Sequence, residues 1–315
     1  MTEHNRPAHN GKKSNHVDLY EQLKRVQQAG ILDPYAYAPA DFIGIFPYSH
    51  RAGDKIVLVD GDKRITLMAP DGLPYGRYPR LLMMWLGREV VRRKGTMPMD
   101  EARKIPLGKS LAHFLRECGV IKATNPDGTL RPVSTRSYRA LKAQLLRLAS
   151  TTIHIETTGS GTQGAATTWD NTLISEEGFF WWDILEHADA DGEQYMLLSE
   201  KVFLRIAQSC VPVDPVHLAE LSTSVAATDL YVWTTRRKST HDGYTRVTWA
   251  QLRGQVGATF PDTDQGMRDF RKQIRQARKK VLAAWPEAGI REWQGGLELV
   301  GKETAVPKKD AFPRP

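Results

Sequence analysis

From Leu73 to Val300 the same order of elements is written twice, and this recurrence constrains the fold more than any single stretch does. In the first pass, Pro79 is expected to open an apolar helix carrying Leu81, Leu82, Trp85 and Val90, because proline is favoured at the first helical position. A short helix capped near Lys109 or Ser110 would bury Leu111, Phe114, Leu115 and Cys118 and stop at Gly119. A third helix is predicted over 134–149, followed by the strand-like stretches TTIHIET and TLISEEGFFWWDI, read as a hairpin. In the second pass, LSTSVAATDLYVWTTRRK supplies the apolar first helix. Thr248 and Gln251 have the spacing of a capping box for a short helix that ends at Gly257. A long third helix is predicted over 263–285 with Asp262 as its cap, and residues 290–300 read as two short strands about Gly295 and Gly296.

Two short helices joined by a turn and followed by a hairpin have the order of a helix-turn-helix with a wing. The expected class is therefore α+β and helix-rich, with two winged-helix-like domains in tandem, over 17–213 and 214–301. The chain of 315 residues is long enough for two such cores. Ahead of the first copy, residues 17–29 form a short amphipathic segment. Alternation over 55–59 and 64–68 predicts a hairpin turning at Asp60, Gly61 and Asp62. Residues 1–16 and 302–315 have little to bury and are expected to be loose tails.

The formal net charge of +8 favours a polyanionic partner if the cations are clustered. They are clustered. In the third helix of the second copy, Phe270, Ile274, Ala277, Val281 and Trp285 form one apolar stripe. Arg271, Arg275 and Arg278 line one flank, and Arg268, Lys272 and Lys279 project around it, with Asp269 expected to be the only nearby acid. Such a helix can lay its apolar side on its domain while guanidinium groups reach base edges or phosphates in a groove about 12 Å wide. The first copy repeats the design, with Tyr138, Leu141, Leu145 and Leu148 inward and Arg136, Arg139, Lys142 and Arg147 outward. That helix can equally pack on a second domain or a second subunit. Arg236, Arg237 and Lys238 end a helix, where favourable interaction with the dipole is sufficient explanation.

Fragments that imitate catalytic motifs fail on context. Gly159, Gly161 and Gly164 have dinucleotide-loop spacing, but the TTWDNT that follows is not a helix able to receive a pyrophosphate. Gly108, Lys109 and Ser110 imitate the end of a P-loop, but Arg103 stands where its first glycine belongs. HADADGE resembles a calcium loop, but His187 and Leu198 replace its first and last carboxylates. The histidines form no zinc cluster, so no metal or cofactor is expected; His113 and His154 read as structural, and Tyr138 and Tyr231 as core aromatics rather than nucleophiles. Cys118 and Cys210 cannot build a disulfide framework, and no stretch resembles a signal peptide or a membrane span, which together point to the cytoplasm.

The segments LPYGRYPRLLMMWL, LGKSLAHFLRECGV, ATDLYVWTTRR, VTWAQLRGQVG and FRKQIRQARKKVLAAWPEAG, in that order, resemble the RepA-type plasmid replication initiators that carry the plasmid-encoded RepA C-terminal domain. Thr234 and Thr235 depart from the smoothly apolar helix usual in that family. The resemblance implies binding of double-stranded repeats at a plasmid origin, local opening of an A·T-rich segment, and recruitment of the host initiator and replicative helicase. It assigns the basic helix from Arg268 to Lys279 to the major groove and the first copy to a homodimer or partner surface with some DNA contact. It transfers no catalytic residue. The nearest rival is a winged-helix transcriptional regulator or autorepressor; two unequal copies in one chain favour the initiator, because regulators more often gain a second reading head by dimerising. A nickase or primase would need clustered carboxylates or histidines or a positioned nucleophile, and the sequence supplies neither. A partner-binding protein would instead use the basic helices on acidic protein surfaces.

Overall fold

The computed structural model describes residues 36–60, 62–108, 134–161, 164–179, 194–241, 243–257 and 259–306. Strand β1 (Ala36–Pro39) leads into the short helix α1 (Ala40–Ile43), and β2 (Lys55–Asp60) pairs antiparallel with β3 (Lys63–Met68), as the alternation predicts. Helix α2 (Arg77–Arg93) starts two residues before Pro79, behind Gly76, whose φ of 74° a side chain would disfavour. Pro79 still costs nothing there, because the first four backbone N–H groups of a helix have no partner within it. After α3 (Met99–Ala102) and β4 (Lys104–Pro106), helix α4 (Thr135–Ala149) is capped by Ser134, whose side chain accepts from the Ser137 N–H. The predicted short helix of residues 109–119 lies outside the described residues, as do the HADADGE stretch, His113 and Cys118.

Strands β5 (Thr152–Gly161), β6 (Gly164–Leu173), β7 (Ser175–Phe179) and β8 (Tyr195–Leu198) correct the hairpin expected in the first copy. Only Thr172 and Leu173 of the second segment pair with TTIHIET, opposite Ile153 and Thr152 at the end of β6, and from Ser175 onward that segment pairs elsewhere. β5 pairs with β6 on one side and β3 on the other, giving a four-stranded antiparallel sheet β2-β3-β5-β6. The register sets Ile65 against Ile155 and Leu67 against Ile153, so one face of the sheet is apolar. Of the glycine triplet, Gly161 and Gly164 pair at the end of the β5–β6 hairpin, and Gly159 lies within β5 opposite Ala166. β7 pairs instead with β8 in the sheet β4-β8-β7.

Helix α5 (Glu200–Ser209), strand β9 (Cys210–Val213) and helix α6 (Pro215–Leu221) lead to the second copy. It consists of α7 (Val225–Thr240), β10 (Tyr244–Thr248), α8 (Trp249–Val256), α9 (Asp264–Ala284), β11 (Ile290–Trp293) and β12 (Gly296–Val300). Its sheet has the order β10-β12-β11, which repeats β4-β8-β7: in each, the last strand of the copy lies between the other two. Among the described residues the two passes therefore share strand order, in an α+β fold, and the first additionally carries the β5–β6 hairpin.

One continuous apolar core runs through both copies, from Ala38 on β1 to Leu299 on β12. β1 pairs with β9, and α2 crosses β1 so closely that a Cβ on Gly87 would lie 2.7 Å from the Tyr37 carbonyl oxygen. Between α2 and α7, Arg80 donates from Nε and Nη2 to the two carboxylate oxygens of Asp229, at 2.6 and 2.7 Å. Arg80 is 1% exposed and also donates to the carbonyls of Phe46 and Gly76. Burial pushes the Asp229 carboxyl up to about 6 while the guanidinium pulls it back down. Past β12, Val306 is buried and its carbonyl accepts from the Thr304 hydroxyl, so packing continues beyond the boundary expected at residue 301. Residues 1–16 and 307–315 lie outside the described residues.

Candidate nucleic-acid interface

Helix α8 begins with the predicted capping box: the Gln251 N–H donates to Thr248 Oγ1 at 3.3 Å and the Thr248 N–H to Gln251 Oε1 at 2.9 Å. It ends at Gly257, where a Cβ would lie 2.6 Å from the Phe270 ring, so the turn lets the two helices approach closely. The cap of α9 is Thr263, which accepts from the Gly266 N–H at 3.1 Å, and not Asp262. Asp262 is drawn away by Arg253, whose guanidinium donates to it at 2.5 Å. The expected stripe of Phe270, Ile274, Ala277, Val281 and Trp285 is buried, with Phe270 in edge contact with Phe260 and Trp249.

Away from that stripe, six of the seven cations of α9, Lys280 apart, divide into two sets. Arg268, Lys272 and Lys279 are exposed, and none carries a side-chain hydrogen bond or ion pair among the described residues. Arg271, Arg275 and Arg278 face the β11–β12 hairpin and the start of α8. Arg271 and Arg275 lie over the Trp249 ring at 5.8 and 5.6 Å. Arg275 pairs with Glu292 on β11 at 2.8 Å, and Arg278 donates from Nε to the Ile290 carbonyl at 2.9 Å. Arg271 Nε is buried without a hydrogen-bond partner among the described residues. Glu292 also corrects the expectation that Asp269 is the only acid nearby: it is 17 positions away along the chain, and only pairing of β11 and β12 beside α9 brings it to Arg275. Asp269 accepts from Gln265 one turn back. Sequence reading missed Trp249 and Glu292, although a tryptophan directly after a capping threonine was a usable signal.

In the first copy, Leu141, Leu145 and Leu148 of α4 are buried, as expected, while the side chain of Tyr138 lies outside the described residues. Arg136 and Arg139 are exposed, and Lys142 and Arg147 are half-buried. The Arg147 guanidinium stands over the Tyr75 ring at 5.3 Å. The buried Gln144 accepts from the Tyr75 N–H at 2.7 Å, so this face of α4 partly closes the loop ahead of α2.

The cations ending α7 are largely structural. Arg237 donates to Gln255 at 2.8 Å and lies over Trp233, and Lys238 is buried beneath Trp285 with its ammonium donating to the Val300 carbonyl at 3.1 Å. Burial holds the Lys238 ammonium below the usual lysine range. Tyr231 is fully buried and its oxygen accepts from the Asp214 N–H, so it is a core aromatic. His154 lies on β5 against Asn171 and Glu156. Among the described residues no group of three or more His, Cys, Asp or Glu could hold a metal ion, and no helix is long and apolar enough to cross a membrane.

A family model described as plasmid-encoded RepA protein matches residues 73–251. Two solved structures are similar at low identity. The crystal structure of selenomethionine derivatives of domains 2 and 3 of RctB has a TM-score of 0.48 and 12% identity, covering 84% of this chain and 99% of that one. A second crystal structure of RctB domains 2–3 has a TM-score of 0.45 and 10% identity, covering 78% of this chain and 90% of that one. No curated protein matches.

Proposed function

Because the chain belongs to the family of plasmid-encoded RepA proteins, whose model spans residues 73–251, we propose that it is a replication initiator that binds repeated double-stranded sites at its own origin through two winged-helix domains in tandem. The second, residues 214–301, is the main reader. Helix α9 enters the major groove, and the β11–β12 hairpin lies alongside as the wing. The observation that carries this reading is the exposed row Arg268, Lys272 and Lys279 on a helix whose opposite stripe is buried in the core. Arg275 joins these three at the groove, while Arg271 and Arg278 brace the helix against Trp249 and β11. The first domain, residues 17–213, is a homodimer or partner surface with some DNA contact through Arg136, Arg139, Lys142 and Arg147. Bound at adjacent repeats in the cytoplasm, the protein promotes local opening of an A·T-rich segment and recruits the host initiator and replicative helicase. It works by binding and deforming DNA, without a catalytic residue or cofactor.

The test is titration of the full chain with duplexes from beside its own gene against random competitor across a range of salt, in parallel with the R268A/K272A variant. Tight, repeat-dependent binding is expected, with a steep salt slope that falls by about two in the variant, one for each phosphate contact removed. Chemical probing of unpaired thymines in the A·T-rich tract then separates an initiator from a regulator that binds and never opens DNA. Equal, weak binding to every fragment would sink the reading.

A further inference from the structure

The cations of α9 differ in what holds them, and one residue of the hairpin makes the difference at Arg275. Both Nε and Nη2 of Arg275 lie 2.8 Å from Glu292 Oε1, and the two side chains are 51% and 30% exposed. The other charged groups around the hairpin are already committed or point the other way. Glu298 on β12 is held by Arg246 and Tyr244, which keep its carboxyl below the usual range, and Asp269 lies against Gln265. Arg271 and Arg278 are fixed by ring and backbone. Arg275 is thus the cation of this flank whose partner is a solvent-accessible carboxylate that a ligand can replace.

On the DNA-binding reading above, we infer that Glu292 is a specificity-determining residue: it competes with DNA phosphates for Arg275, so that Arg275 enters the contact only where a base edge accepts it. A carboxylate and a phosphate offer a guanidinium the same kind of charge-assisted acceptor. On random DNA, exchanging one for the other gains little and leaves the Glu292 carboxylate unpaired beside a polyanion. A guanine edge is different, because O6 and N7 accept two N–H groups from one guanidinium and are not themselves anionic. Glu292 therefore weakens binding to every duplex but weakens binding to random duplex more, and selectivity rises. Charge at such a rim position acts mainly on encounter and on discrimination.

Glu292→Gln removes the charge and keeps the shape and an acceptor oxygen. The full chain is titrated across salt with the duplex it enriches from a randomised pool and with a scrambled duplex of the same composition. The variant is expected to bind the scrambled duplex about three- to tenfold more tightly than the unaltered chain, with a salt slope steeper by about one phosphate. It gains less on the enriched duplex, so the ratio between the two falls. In an R275A background the same substitution leaves the slope where it was, because no cation is released. Glu200→Gln, the same charge change on an exposed residue of α5, leaves slope and ratio at their original values. A selective unaltered chain whose E292Q variant keeps both ratio and slope overturns the inference alone. A chain that enriches no common sequence overturns the reading on which it rests.

Discussion

Helices α4 and α9 carry the same kind of sequence in the two copies, but their cations are placed differently. Each buries an apolar stripe and turns arginine and lysine outward. Along α9 the exposed set extends from Arg268 to Lys279, beside a hairpin that packs against the same helix. Along α4 the fully exposed cations are confined to the first turns, at Arg136 and Arg139, while Arg147 is turned back over Tyr75. A basic amphipathic pattern therefore identifies a helix that can reach a polyanion. How far along its length it can do so is decided by neighbours distant in sequence.

The two copies share one core, and a change at their junction tests that unity most severely. Asp229→Ala would leave the Arg80 guanidinium buried, 1% exposed, without its carboxylate. Removing one partner of a buried ion pair costs about 3–5 kcal/mol, because the remaining charge is uncompensated. Chemical denaturation followed by both tryptophan fluorescence and circular dichroism should show one transition moved to lower denaturant. Two separated transitions, only one of them moved, would mean that the copies unfold independently and that the continuous core is not a cooperative unit.

Next in size is the effect on DNA. If α9 is the main reader, R268A/K272A lowers affinity for the enriched duplex about tenfold or more at moderate salt, whereas R136A/R139A lowers it less than about fivefold. Equal losses would make the two helices equivalent readers and would remove the distinction drawn between them. Neither pair touches the core, so melting curves of the unaltered chain and the two double variants should nearly coincide.

What was legible in the sequence follows the same division between local and distant. The stripe of α9, the capping box at Thr248 and the β2–β3 hairpin depend on residues within a turn or two of one another, and all three are present. The cap of α9 fell one residue from its expected place because Asp262 has a competing partner in Arg253. The hairpin of the first copy was misassigned because a strand's own alternation does not name its partner. β5 satisfies its backbone with β3, 84 residues upstream by the register of Met68 with Thr152, as well as with β6. The Arg80–Asp229 pair spans 149 positions, and no spacing rule reaches that far.

The smallest effect compares the first helices of the copies. Apart from Arg80 and Glu89, the buried face of α2 is apolar through Met83, Trp85 and Leu86, whereas α7 carries Thr234 and Thr235 in the core, each about 1% exposed or less. The two threonines are not equivalent. Thr235 Oγ1 donates to the Tyr231 carbonyl one turn back at 3.0 Å, while Thr234 Oγ1 is buried without a hydrogen-bond partner among the described residues. An unpaired buried hydroxyl costs about 1 kcal/mol or more, and replacing it with a methyl group of the same shape removes that cost. Thr234→Val should therefore raise stability by roughly 1 kcal/mol, and Thr235→Val, which gives up a made bond, should lower it by about 0.5 kcal/mol or leave it unchanged. If Thr234→Val instead destabilises, the hydroxyl has a partner of its own, and the departure of α7 from the apolar character of α2 is a used polar contact rather than a tolerated one.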